Sequence, residues 1–297
     1  MDELTKAFRD FADGRRTDVL GIAPIGRFDG VAANHHPASI FPETRSVIVL
    51  GKRVTRGTLR GVEEGTQFDL YGMFGQQWLA DRVLAITTAA LAQFLEDAGW
   101  EAVPLMDLPP EVPPSGVAVR PGLPAPNVMV DLRDAAVRAG LGMFGWCGEL
   151  LTPEFGPRQR LQMILTDAPL EATPLAAEPV CDMCMECAGA CPLGALDPAR
   201  SHDVTICGVT MRVADVDHAK CGGCRNGATP NMSHASGKPD RLAAVCVRTC
   251  VHHLGTTGRE GNRFAAPFRR RPAWRTDALG ATSLWQPDAA APPQAEA

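Results

Sequence analysis

The chain has 297 residues, of which 45% are hydrophobic and 21% charged, with a formal net charge of −5 and a pI near 5.8. That balance suits a folded protein with a core of normal size, and it argues against phosphate-driven binding of nucleic acid, tRNA included, which needs an excess of Lys and Arg. No uninterrupted apolar run reaches the roughly 18–20 residues that span a bilayer, and the acidic, amphipathic start MDELTKAFRDFADGRR is no signal peptide, so the cytoplasm is the expected compartment.

In chain order, residues 3–12 predict a first helix. VLGIAPI (19–25) and SVIVLGKRV (46–54) are short, apolar and rich in β-branched residues, as buried strands are. From Gln76 to Ala98, Leu79, Val83, Ile86, Ala90 and Phe94 recur at three- and four-residue steps, which predicts a helix stopped by Gly99. EAVPLM (101–106) predicts a strand, Leu108 to Pro126 a Pro-rich loop, Leu132 to Ala139 a short helix, and RLQMILTD (160–167) another strand. The last residues, rich in Ala and Pro, carry the signature of disorder.

The chain holds ten cysteines, nine of them between Cys181 and Cys250. Disulfides do not persist in a reducing compartment, so metal binding is the leading explanation. Cys181, Cys184, Cys187 and Cys191, followed by Pro192, form C-x2-C-x2-C-x3-C-P, the bacterial ferredoxin run, whose fourth cysteine serves the other cluster where there are two. Three thiolates on a tight loop reach three irons of one cubane; the next helix carries the fourth toward a neighbour. Structural zinc sites separate their cysteine pairs by a longer spacer. Cys221, Cys224, Cys246 and Cys250 are available to complete two [4Fe–4S] sites. Ala243 stands where a regular repeat would place a cysteine, so Cys224 is assigned to replace it through a longer loop. The expected sets are Cys181, Cys184, Cys187 and Cys250, then Cys191, Cys221, Cys224 and Cys246. Cys207, in the strand-like VTICGVTMRV, is read as a packed thiol and is the substitute for Cys224.

Gly140, Gly142 and Gly145 match G-x-G-x-x-G, but a helix-like segment precedes them and a strand and turn follow, the reverse of a dinucleotide site. Their missing side chains permit close approach by a flat cofactor, or a tight helix exit.

AAVRAGLGMFGWCGELLTPEFGPRQRLQMILTDAPL (135–170) and CDMCMECAGACPLGAL (181–196), with SVIVLGKRVTRGTLRGVEEGT (46–66), resemble epoxyqueuosine reductase and its wider relatives, which share a core with the reductive dehalogenases. The resemblance spans roughly residues 15–255 and implies an α+β chain. A nitroreductase-like α/β sandwich would hold cobalamin and substrate (1–177), a two-cluster ferredoxin-like unit would follow (178–256), and a basic segment with a disordered tail would end it (257–297). It further implies that electrons pass from two [4Fe–4S] clusters to cobalt and then to a small molecule, with a ferredoxin or flavodoxin as donor. Gly140, Gly142 and Gly145 become the cofactor-binding glycines. Cys147 stands where a polar Asn or Lys is expected, which points to altered chemistry.

Such a reduction needs a proton donor. Tyr71, the single tyrosine, Asp131 and Cys147 are the candidates, with Asp134, His35 and His36 behind them. Arg269, Arg270 and Arg271 form a basic patch able to dock an acidic donor. Three readings compete: a cobalamin-dependent reductase, an electron carrier, and a cobalamin-handling protein that reduces cobalt.

Overall fold

A computed structural model describes residues 2–285; the Ala- and Pro-rich tail expected to be disordered lies outside the described residues. The first helix, Glu3–Gly14, is started by Asp2, whose carboxylate accepts the Thr5 N–H at 2.8 Å. Strands β1 (Val19–Pro24), β2 (Ser46–Arg53) and β3 (Ala102–Leu105) follow. The small hairpin β4 (Met143–Phe144) and β5 (Leu150–Leu151) comes next, then β6 (Gln159–Thr166). The main sheet has the order β1-β2-β6-β3, and every neighbouring pair is antiparallel. The chain is thus α+β, with sheets that are antiparallel throughout the described residues.

Strands β2 and β6 are apolar on both faces because both faces are covered. Ile48, Leu50 and Ile164 meet the first helix and the long helix on one side. Val47, Val49, Met163 and Leu165 meet the helix Leu132–Arg138, Phe155 and a further hairpin on the other. A continuous apolar run reports burial on both sides, not strand direction.

The long helix, Asp69–Asp97, begins seven residues before its expected start at Gln76. Glycines 72 and 75 weaken a helical reading, yet Gly75 is where the Tyr71 ring lies: a Cβ there would fall 2.5 Å from it. The middle turns, Gly72–Gln77 and Leu79–Leu84, are widened to π-helix. At 29 residues this helix is long and apolar enough to cross a membrane by length and composition alone, a pattern the search for uninterrupted apolar runs did not register. Leu84, Leu91 and Leu95 on its inner side are fully buried against the sheet, while Phe74, Trp78, Val83 and Ile86 are exposed.

VTICGVTMRV is not one strand but the turn of a hairpin, β7 (Ser201–Ile206) and β8 (Val209–Ala214). Cys207 and Gly208 both take positive φ, at 50° and 81°, which makes the tight two-residue turn that matches strand twist. A last hairpin, β9 (Trp274–Thr276) and β10 (Thr282–Leu284), closes the described chain.

The cysteine-rich stretch is tied to the rest by buried charge. Arg248, on the helix Val245–Thr257, is fully buried and donates to Glu63 at 2.8 Å and to Asn226 Oδ1 at 2.7 Å. Arg269 reaches the other Glu63 oxygen at 2.5 Å, and Arg271 pairs with Glu64 at 2.8 Å. Burial pushes the Glu63 carboxyl upward, but Arg269 and Arg248 outweigh it and hold the group below its usual range. One arginine of the expected docking patch, Arg269, is therefore engaged inside the protein, while Arg271 makes its pair at the surface. Glu63→Gln leaves two guanidiniums short of their anion, and is expected to lower the urea midpoint by the equivalent of about 3–5 kcal/mol. Equilibrium unfolding of the cluster-loaded chain, read by circular dichroism, checks this.

Candidate functional site

The loop that carries Cys181, Cys184 and Cys187 is wound by Met183 and Met185, both at φ 61°. These left-handed residues wind the loop tightly around Cys184 before the short helix Glu186–Gly189 leads to Cys191. Opposite stands the helix Val245–Thr257, bearing Cys246 and Cys250 one turn apart. Cys250 faces Cys181 and Cys184, and Cys187 faces Cys250. Cys221, on the helix His218–Gly222, faces Cys191 and Cys224; Cys246 faces Cys191 and Cys221. Cys246 also faces Cys187 and Cys250, so the eight cysteines converge on one region without these contacts dividing them into the two expected sets.

Backbone N–H groups point at three of them: Trp146 at Cys181 (3.5 Å), Ala195 at Cys191 (3.2 Å) and Asn226 at Cys224 (3.4 Å). Burial pushes the Cys221 thiol up to about 11 and raises Cys246 and Cys250 further. Buried thiols this crowded ionise only beside a cation. Eight cysteines gathered here, three of them buried and three receiving a backbone N–H, fit the donor chemistry of thiolate-held iron.

Cys147 and Cys207 behave differently. Cys147 is buried against Cys187 and also faces Cys250 and Cys246, a ninth thiol at the junction of the two sets. Cys207 lies apart in its hairpin turn, its thiol 3.5 Å from the Arg27 carbonyl and 3.9 Å from Arg138, so it is not placed to substitute for Cys224.

The glycine segment serves chain packing. A Cβ on Gly140 would lie 2.1 Å from the Pro174 carbonyl, and one on Gly142 2.1 Å from the Leu151 carbonyl. Gly145 abuts the Leu151 side chain and lies beside Cys181. The expected cofactor cradle at Gly142 and Gly145 is filled by the chain itself, and the close approach brings the Trp146 N–H onto a cysteine sulfur. Gly140 does border a separate cavity of about 730 Å³ near Arg259.

A larger polar cleft, about 750 Å³, opens between the β7–β8 hairpin, the start of the helix Leu132–Arg138 and residues 215–218 and 238–241. Asp131, Arg133 and Arg241 line both this cleft and an adjoining cavity of about 130 Å³ that reaches Asp107, Arg160 and Asp240. Most of the charged groups here are already paired. Asp131 caps its helix, accepting from the N–H groups of Arg133 (2.9 Å) and Asp134 (3.1 Å). Asp134 holds Arg138, Lys238 holds Glu111 at 2.7 Å, and Arg241 holds Glu149 at 2.7 Å. Three donors are left over: the Arg133 guanidinium, which makes no side-chain hydrogen bond, and the buried Arg241 Nη1 and His218 Nδ1, which have no partner among the described residues. Burial, reinforced by Arg241, pushes His218 down to about 4, so its imidazole is neutral near pH 7.

Tyr71 is buried and lines neither cavity. Its hydroxyl donates to Asp240 Oδ2 at 2.8 Å, and Arg160 Nη2 reaches both at 2.5 Å. Burial and the Asp240 charge raise the phenol well above its usual range, so Tyr71 anchors Arg160 and Asp240 at the cavity wall. His35 spends Nδ1 on the Met129 carbonyl (2.7 Å) and His36 accepts from the Ala38 N–H (3.1 Å), which are loop contacts. Arg133, Arg160, His218, Asp240 and Arg241 carry no spacing signature. Nothing in the sequence marked them.

No family model matches the chain. The fold has counterparts among solved structures. At a TM-score of 0.50 and 15% identity, 95% of the chain and 40% of its counterpart superpose on a reductive dehalogenase whose structure is described with a mechanism for B12-dependent dehalogenation. More particularly, 64 residues are 42% identical to tetrachloroethene reductive dehalogenase of Desulfitobacterium hafniense, covering 20% of this chain and 12% of that one. The chain also matches epoxyqueuosine reductase from Bacillus subtilis at a TM-score of 0.44 and 19% identity, over 65% of this chain and 52% of the other. The resemblance read from the sequence stands, and the chain is related to these reductases; the match spans about an eighth of the curated dehalogenase.

Because Tyr71 works through Arg160 and Asp240, Tyr71→Phe is expected to cost about 1 kcal/mol of stability, one hydrogen bond, and to leave iron content unchanged. Urea unfolding and iron analysis of the variant test this; loss of iron would show that Tyr71 does more than anchor.

Proposed function

We propose that the chain is an iron–sulfur reductase that passes electrons from two [4Fe–4S] clusters to a small molecule through cobalamin in the polar cleft. Convergence of eight cysteines beside a cleft with unspent donors carries this reading. In it, Cys181, Cys184, Cys187 and Cys250 hold one cluster, and Cys191, Cys221, Cys224 and Cys246 the other. The nitroreductase-like part (1–177) and the ferredoxin-like part (178–256) are its two functional halves.

The direction of electron flow follows from exposure. Cys184 is exposed, so the first cluster is the entry point for a ferredoxin or flavodoxin. Cys221 and Cys246 are buried on the Arg241 side, next to the cleft, so the second cluster is the exit. Cobalamin, when bound, supplies the cobalt centre that gives electrons to the substrate. Its ring of amides presents both donors and acceptors, which suits a cleft holding Arg133, His218 and Arg241 donors beside the Asp131 carboxylate. The cytoplasm, where these thiols stay reduced, is the setting that goes with this reading.

Anaerobic reconstitution followed by metal analysis tests the proposal. The expected result is about eight irons per chain, from two four-iron clusters, and one cobalt after incubation with cobalamin. About four irons retires one cysteine set. Iron without cobalt favours a pure electron carrier, and cobalt without substrate turnover favours a cobalamin-handling role.

A further inference from the structure

One residue belongs to both the cleft and the second cysteine set. Arg241 lies just before the helix that carries Cys246, and its side chain is 3% exposed. Nη2 donates to the Cys147 carbonyl at 2.7 Å and pairs with Glu149 Oε1 at 2.7 Å. Nη1 is buried with no partner among the described residues. On one side the guanidinium lines the 750 Å³ cleft and the 130 Å³ cavity. On the other it faces the thiols of Cys246, Cys147 and Cys221.

A guanidinium does not shed its proton, so the charge stays whatever surrounds it. A buried N–H without an acceptor is costly and is filled when an acceptor arrives. We propose that Arg241 couples the cleft to the second cluster: its charge raises the reduction potential of the cluster on Cys191, Cys221, Cys224 and Cys246, while its free Nη1 donates to a carbonyl or carboxylate oxygen of the cleft's occupant. This rests on the reading that iron fills that set. A positive charge beside a cubane stabilises the added electron by Coulomb attraction, strongly where water is excluded. Glu149 tempers the charge and fixes the plane of the guanidinium, leaving Nη1 without a partner among the described residues.

Three variants of the full reconstituted chain separate the two roles. In redox titration followed by electron paramagnetic resonance, without cobalamin, Arg241→Met lowers the midpoint of one cluster only. Arg241→Lys, which keeps the charge, stays near wild type. Glu149→Gln, which removes the compensating anion, raises the same midpoint. Aquacobalamin binding, followed by absorbance, weakens about tenfold in both Arg241 variants, the effect of losing one charge-assisted hydrogen bond. An unchanged midpoint in Arg241→Met at full iron content, or aquacobalamin bound as tightly as by wild type, overturns the proposal. Should Arg241→Met lose its iron, Glu149→Gln decides, and a midpoint that fails to rise overturns it. A wild type that binds no aquacobalamin counts against the function reading, while the midpoint shifts still decide on Arg241.

Discussion

Eight thiols gathered in one region, three of them buried, set the terms for everything around them. Buried sulfur resists ionisation, as the upward shifts at Cys221, Cys246 and Cys250 show. Several thiolates side by side would also repel one another. A bound metal would remove both difficulties by supplying the positive charge that the site lacks. The protein's part is to gather the sulfurs. It does so with two left-handed methionines in the loop, a helix opposite, and a glycine segment that lets Trp146 reach Cys181.

That helix is held in place by a second electrostatic device. Glu63 collects Arg248 and Arg269 from the C-terminal side, while Leu242, Ala243 and Val251 pack with Val54, Leu59 and Tyr71 from the N-terminal side. The cysteine region is therefore not a bead on a string. Its supporting helix shares a core with the strands and helices of the first half, so the sulfur geometry depends on residues nearly two hundred positions away. A mixed apolar and ionic junction of this kind fixes orientation more sharply than apolar contact alone, because a buried ion pair tolerates little displacement.

How much of this the sequence disclosed follows from what is local. The C-x2-C-x2-C-x3-C run, the strands at 19–25, 46–54 and 160–167 and the helix at 132–139 were legible because each depends on near neighbours. Strand direction was not, since an apolar run in β2 looks the same in any sheet covered on both faces. The hairpin at Cys207-Gly208 hid inside an alternating pattern that persists across a two-residue turn. The glycines at 140, 142 and 145 marked close approach, but not what approaches; the answer is Pro174, Leu151 and the cysteine loop. Tyr71 drew attention as the lone tyrosine, yet its hydroxyl is spent on Asp240. Arg160 and Arg241 escaped notice because their partners, Asp240 and Glu149, are far away in sequence.

The cleft itself is best understood by subtraction. Asp240 is taken by Arg160 and Tyr71, Glu149 by Arg241, Glu111 by Lys238, and Asp131 by the start of its helix. Each anion is compensated, so the cleft is not tuned to attract a cation. Lys238 and Arg241 are compensated too and Arg133 lies beside Asp131, while Arg200 makes no ion pair among the described residues. What is left over is a few hydrogen-bond donors on rigid supports, at Arg133, His218 and Arg241, around a space large enough for a cofactor. Such a surface selects for an occupant rich in neutral acceptors and indifferent to net charge.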